Sequence, residues 1–245
     1  MTRVELIAVE GLPEVHPGDD LGELISSRTK LEARDILVVA QKVVSKSEGR
    51  MVNLAGVTAG DDAVRIAAGL IAAPDPRMVQ VVLDESVRVL RSQRVLITET
   101  RHGFVCANSG VDQSNIPGDD MVTLLPEDPD ASAERLRDRL WQLAGVDVGV
   151  IVSDTFGRPW RLGIVNVALG IAGLPASLDL RGTLDDSGRP LHATVLAVAD
   201  DLAAAAGLVM GKTGRTPAVI VRGLELRGSG TGRQLVRPAA EDLFR

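Results

Sequence analysis

The chain has 245 residues, a formal net charge of −6, 45% hydrophobic residues and 24% charged residues. These values exclude a disordered chain and leave length for one large or two small globular units. Aromatics are only 2%, with three Phe, two Trp and no Tyr, so an acidic chain without stacking platforms is excluded as a nucleic-acid binder. No apolar run approaches the roughly 20 residues that cross a bilayer, and the opening MTRVELIAVEG lacks a basic n-region and a long apolar core. The single cysteine, Cys106, cannot form an internal disulfide. A cytoplasmic protein without membrane contact is expected.

In chain order, Val4 to Val9 reads as a strand and Gly11-Leu12-Pro13 as a turn. Asp19 or Asp20 can cap a helix that carries Leu21, Leu24 and Ile25 on one face. Ile36 to Ala40 is a short apolar run leading into the charged segment Gln41 to Arg50. Residues 60–74 are expected to be helical. Strands follow at 88–90, 94–98 and 104–107, the last feeding Asn108-Ser109-Gly110-Val111-Asp112. The Pro- and Asp-rich stretch 126–130 is a candidate boundary between two lobes. Beyond it, Leu136, Leu140 and Leu143 mark a helix face that stops at Gly145. Val148 to Ser153 is a strand of the kind buried on both faces. Residues 194–210 are expected to be helical, and Ala218 to Val221 is the last clear strand. Without strict βα alternation the pattern predicts an α+β fold, with mixed, largely antiparallel sheets and packed helices.

Four segments could carry chemistry. A buried strand ending at Asp154-Thr155 would set a carboxylate and a hydroxyl at the mouth of a sheet, a donor set suited to a hard divalent cation. The alternative is a strand cap bonded to nearby N–H groups. The loop from Asn108 to Asn115 could bring Asp112 to a cation and offer Ser114 or Asn115 to a phosphate or base, or it is simply a well-bonded surface turn. The run Ala206 to Thr213 matches a relaxed phosphate loop, but a helix precedes it and a strand follows, the reverse of the order such a loop needs. What remains is a flexible cationic loop around Lys212. The segment Gln41 to Arg50 is either a solvated strand edge or a phosphate-facing surface. Of the 27 basic residues only Lys30, Lys42, Lys46 and Lys212 are lysine, and two of those point charges lie here.

Other features read more plainly. His16, His102 and His192 have no metal-like spacing. Asp200-Asp201 reads as a solvated helix face, Cys106 as core, and Gly228 to Gly232 as a weak dinucleotide-loop likeness.

Taken together, the chain resembles the ligase family that adds glutamate to the deazaflavin coenzyme F420. The resemblance is carried by Val9 to Pro13 with Pro17 to Asp20, by Val44 to Arg50, by Gly110 to Asn115, by Ser153 to Arg158 and by Pro217 to Gly223. It covers nearly the whole chain and implies one ligase domain over 1–245. The implied activity is amide formation driven by GTP, through an acyl phosphate on the coenzyme precursor (F420-0 or its dehydro form), with release of GDP and phosphate. It also implies a homodimer and two divalent cations, magnesium or manganese. By motif position Asp112, Asp154 and Thr155 look like metal ligands. Leu12, Pro13, Glu14, Val15, Gln41, Lys42, Lys46 and Asn115 look like the nucleotide site, together with Met210, Gly211, Lys212, Thr213, Gly214 and Arg215. Lys212 stands where some relatives place a metal-binding Glu. Similar domains occur in actinobacteria fused to a flavin-binding reductase, and the sequence is compatible with either arrangement. Two other readings rest on the same aspartates: a metal-dependent phosphohydrolase or kinase on a small phosphate ester, and a non-catalytic nucleotide- or deazaflavin-binding module.

Overall fold

The apolar runs of the sequence assemble one sheet with helices on both faces. The computed structural model describes residues 3–114, 118 and 120–242. In chain order the elements are β1 (Glu5–Ala8), α1 (Leu21–Ser26), β2 (Ile36–Ala40), α2 (Gln41–Ser47), β3 (Met51–Asn53), α3 (Asp61–Gly69), α4 (Pro76–Asp84), β4 (Ser86–Gln93), β5 (Val95–Thr100), β6 (Val105–Ala107) and β7 (Met121–Thr123). There follow α5 (Pro129–Ala144), β8 (Gly149–Arg158), β9 (Arg161–Ala172), β10 (Leu178–Asp179), β11 (Val195–Leu196), α6 (Val198–Met210) and β12 (Ala218–Arg222). The main sheet runs β1-β12-β2-β8-β9, and within it only β2 and β8 are parallel. Smaller sheets pair β3 with β7, β10 with β11, and β4 with β5 and β6. The expected α+β class is the class observed.

Burial on both faces explains why the central strands are apolar throughout. Leu37 and Val39 of β2 join Val150 and Val152 of β8 in one cluster, with Ile25 of α1 and Leu136 and Leu140 of α5. Ile36, Val38 and Ile151 point the other way, onto Ala199, Leu202, Ala203 and Ala206 of α6. The alternation of Cβ directions along a strand produces this division. Leu143, expected on the inner face of α5, is exposed. A third cluster gathers Leu54, Ile66, Val79, Val82, Leu96 and Val122 between α3, α4 and the smaller sheets.

Four elements depart from expectation. The segment after β2 is a helix, not a strand edge: Val44, Ser45 and Lys46 of α2 are buried, and Val43 and Val44 pack into the first cluster. The helix expected over 194–210 begins at Val198, after the short strand β11. Finally, α4 and β9 went unforeseen. The signal for α4 was legible, since Asp75 accepts from the Arg77 N–H as N-cap and Pro76 fills the first turn.

The edge strand β9 is covered by its neighbours. Its pairing with β8 skips a residue at Leu169, and acidic side chains from two helices receive the N–H groups around this bulge. Asp200 of α6 accepts from Ala168, and Asp130 of α5 accepts from both Ile171 and the tail residue Gly232. Asp200 is therefore a packed acceptor, and only Asp201 remains on the solvated face. The glycines of the tail are explained by close approach. A Cβ on Gly232 would lie 1.9 Å from the Leu169 carbonyl, and one on Gly230 would lie 2.1 Å from the Ala176 nitrogen. This tail is a strap along an edge strand, and its likeness to a dinucleotide loop is coincidental.

Candidate functional site

The site forms where the parallel pair β2–β8 ends. Ala40 pairs with Ser153 at the last step of that ladder, and the chain then turns into α2 on one side while β8 runs on through Asp154 and Thr155. The Asp-Thr pair therefore lies within a strand rather than at its end. It extends into a hairpin with β9, in which Asp154 faces Val167 and Thr155 faces Asn166.

Asp112 arrives from a turn that is pinned from below. Asn108 and Ser109 adopt left-handed backbone conformations, φ 53° and 52°, ahead of Gly110 at 71°, a strained run that its surroundings must hold. They do so through Ser109: its Oγ lies 2.7 Å from both Ser86 Oγ and Thr98 Oγ1, and its N–H donates to Thr98 Oγ1. Next, Asp112 and Thr123 exchange both backbone hydrogen bonds. The loop is thus a well-bonded turn and also the means by which Asp112 is aimed.

Lys42, in the first turn of α2, meets this carboxylate. Its Nζ lies 2.7 Å from Asp112 Oδ2 and donates to the Ser114 carbonyl at 2.6 Å and to Ser114 Oγ at 2.7 Å. Burial pushes the Asp112 carboxyl up, but the hydrogen bonds from Lys42 and Ser114 outweigh burial and hold it below the usual range. Asp154 moves the other way. Burial raises it to about 6, the neighbouring charge of Asp112 adds to the rise, and the Thr155 N–H, Lys212 and Lys42 offset only part. Four segments far apart in sequence, 41–46, 112–114, 154–155 and 212, therefore share one electrostatic neighbourhood.

The remaining candidates fall into two groups. Lys46 is buried and its Nζ reaches Glu14 Oε1 at 2.5 Å, which draws the 12–15 loop against α2. Pro13 and Glu14 are exposed, whereas Leu12 and Val15 turn inward. Gln41 is buried, and its Oε1 accepts from Ser45 Oγ within α2. Met210 is core, and Gly211 to Arg215 form an exposed loop. From that loop Lys212 donates to Thr155 Oγ1 at 2.5 Å. Asn115 lies outside the described residues. Sequence reasoning missed Asn166, whose Oδ1 accepts from Thr155 Oγ1 at 3.2 Å. A polar residue facing Thr155 across the hairpin was its signal, hidden because β9 itself went unforeseen.

The donor set fits a hard divalent cation. Asp112 lies close enough to Asp154 to raise its protonation, and a positive charge bound between two carboxylates beside a hydroxyl would relieve that. Among the described residues no cluster of three or more His, Cys, Asp or Glu gathers. A cation held there would take few ligands from the protein and the rest from phosphate oxygens and water, the habit of magnesium sites.

Carboxylates and lysines surround this small polar site, and comparison with known proteins gives the class of the protein as a ligase. Residues 11–223 match a protein-family model described as F420-0:Gamma-glutamyl ligase. Proteins named coenzyme F420:L-glutamate ligase are similar over nearly their full length: that of Haloarcula marismortui is 47% identical over 247 residues, covering 99% of this chain and 96% of that protein. Those of Methanopyrus kandleri and Archaeoglobus fulgidus are each 46% identical, over 250 and 244 residues, covering 99% of this chain and 97% of each relative. The chain belongs to the F420-0:gamma-glutamyl ligase family.

Proposed function

We propose that the chain joins L-glutamate to the coenzyme F420 precursor, F420-0 or its dehydro form, at the expense of GTP. A free carboxylate is a poor electrophile, so its oxygen first attacks the γ-phosphorus and GDP leaves. The glutamate amine then attacks the acyl carbon and phosphate leaves, forming the amide. Family membership supports the glutamate and coenzyme substrates. The observation that carries the phosphate chemistry is the convergence of Lys42, Asp112, Asp154, Thr155 and Lys212 at the end of β2–β8. Catalysis of phosphoryl transfer is chiefly positioning and charge neutralisation. Lys42 and Lys212 supply positive charge, and Lys46 with Glu14 orders the 12–15 loop beside α2. Magnesium or manganese held by Asp112 and Asp154 would add charge neutralisation to the phosphates.

The same reading includes a homodimer and a cytoplasmic location. The homodimer is supported by the tip of the β8–β9 hairpin, where Trp160, Leu162 and Ile164 are 80%, 98% and 61% exposed. A lone buried thiol suits a reducing compartment, and no described helix is long and apolar enough to cross a membrane.

The test is incubation with GTP, manganese, L-glutamate and F420-0, followed by mass spectrometry for a glutamyl-sized increment. Asp112→Asn and Asp154→Asn are expected to abolish the increment while leaving the circular dichroism spectrum unchanged. Phosphate release that is indifferent to glutamate would overturn the ligase reading in favour of a phosphohydrolase.

A further inference from the structure

Thr155 stands among the expected metal ligands, yet its hydroxyl is already engaged on both sides. A threonine hydroxyl has one proton and two lone pairs. The proton goes to Asn166 Oδ1 at 3.2 Å, and a lone pair receives Lys212 Nζ at 2.5 Å. A divalent ion bound directly to this oxygen would sit against the ammonium, and like charges at that separation repel strongly. Asp112 also meets an ammonium, Lys42 Nζ at 2.7 Å, but its negative charge together with that of Asp154 offsets a bound ion as a neutral hydroxyl cannot.

The fold builds the position of Lys212. It follows the C-terminus of α6, where the free carbonyls of a helix favour a cation. Gly211 turns the chain there with φ 56°, and a Cβ on it would meet nothing within 4 Å. Just before the turn, Met210 is buried and its Sδ accepts from Asn166 Nδ2 at 3.5 Å. One turn earlier Gly207 leaves room for that asparagine, since a Cβ there would lie 3.1 Å from its side chain. Asn166 thus bonds both the root of the Lys212 loop and the hydroxyl that Lys212 contacts.

We propose that Lys212 is a tethered cation that takes the place of a second divalent ion, so that the chain binds one such ion, at Asp112 and Asp154. The anion it neutralises is the phosphate of the ligase reading above, on which the inference rests. Lysine suits the task, being a point charge on a flexible stem. Its ammonium can follow the phosphoryl group as that group passes from nucleotide to carboxylate.

The experiment counts ions directly. Metal-free protein is titrated with Mn2+ in the absence of nucleotide, and bound ion is read by electron paramagnetic resonance. One Mn2+ per chain is expected for the wild type and for Lys212→Arg, and two for Lys212→Glu, where a new carboxylate joins Thr155. Two ions in the wild type, or a single ion in Lys212→Glu, would overturn the assignment. The count is independent of turnover, so it still reads Lys212 if no glutamyl transfer is found. Retention of the single ion in Asp154→Asn overturns the Asp112–Asp154 site instead. In the coupled assay Lys212→Gln is expected to lower kcat roughly 10²-fold with the glutamate KM unchanged, and Lys212→Arg to recover most of the loss.

Discussion

On the proposed function, Asp154 is a residue that serves activity at the expense of stability. Its folded-state value of about 6 lies above the ordinary 3.8, so the folded protein holds this proton more tightly than the unfolded chain does. The resulting contribution to stability is fully present below about pH 4 and is lost as pH rises to about 6. Asn carries no such charge. In metal-free protein, the Tm of Asp154→Asn minus that of the wild type is expected to grow between pH 4 and pH 6 and then level off, while activity is lost. A flat difference in calorimetry across that range would refute the burial of this charge. Cys106 is a plainer case. Burial pushes its thiol up to about 12, with the charge of Asp154 adding to the rise, so it carries almost no thiolate at neutral pH. The native protein is expected to be inert to Ellman's reagent at pH 8 and to release one equivalent after denaturation. The sequence already marked both residues: Cys106 as core, from its place beside an apolar strand, and Asp154 as special, from its place after a buried run. The direction of the Asp154 shift was not legible, because it depends on Asp112, Lys42 and Lys212 arriving from elsewhere.

At the scale of elements, the small residues decide what can lie close to what. Gly170 lies in the bulge of β9, and a Cβ on it would be 1.9 Å from the Pro129 carbonyl at the start of α5. Backbone cannot yield as a flexible side chain can, so Gly170→Ala is expected to destabilise by about 3 kcal/mol. For a domain of this size that is a fall in Tm of roughly 6–12 °C, measurable by thermal melting. The charged partners Asp130 and Asp200 remain to receive the Ile171 and Ala168 N–H groups, so the loss reports the contact with α5. Helices with caps and one apolar face were readable in the sequence, as α5 was from Leu136, Leu140 and Gly145. The hairpin strand β9 was not, because Gly163 and Gly170 interrupt its alternation and its partner β8 was expected to end at Asp154-Thr155. α2 misled for a different reason: its charge resembles a solvated edge, but Lys42 and Lys46 are drawn inward by Asp112 and Glu14.

For the whole molecule, the features left over are apolar and exposed. The hairpin tip carries Leu162, almost fully open to solvent, between Trp160 and Ile164, on the same two strands that hold Thr155 and Asn166. An exposed apolar projection of this kind in an acidic chain marks an interaction surface, which the proposed dimer would cover. Sedimentation is expected to give a dimer for the wild type and a monomer for Leu162→Asp. A monomeric wild type at micromolar concentration would remove the dimer from the reading.

The sequence by itself determined the composition-level exclusions, the apolar strands of the main sheet, and the family, because each is carried by residue types and their local order. Only the tertiary structure decided that the scarce lysines at 42 and 212 meet the carboxylates of 112 and 154, and that Lys212 takes the hydroxyl of Thr155. Periodicity reports which face of an element is buried. It carries no information on which buried ends face one another, and the field at this site depends on distances across those ends.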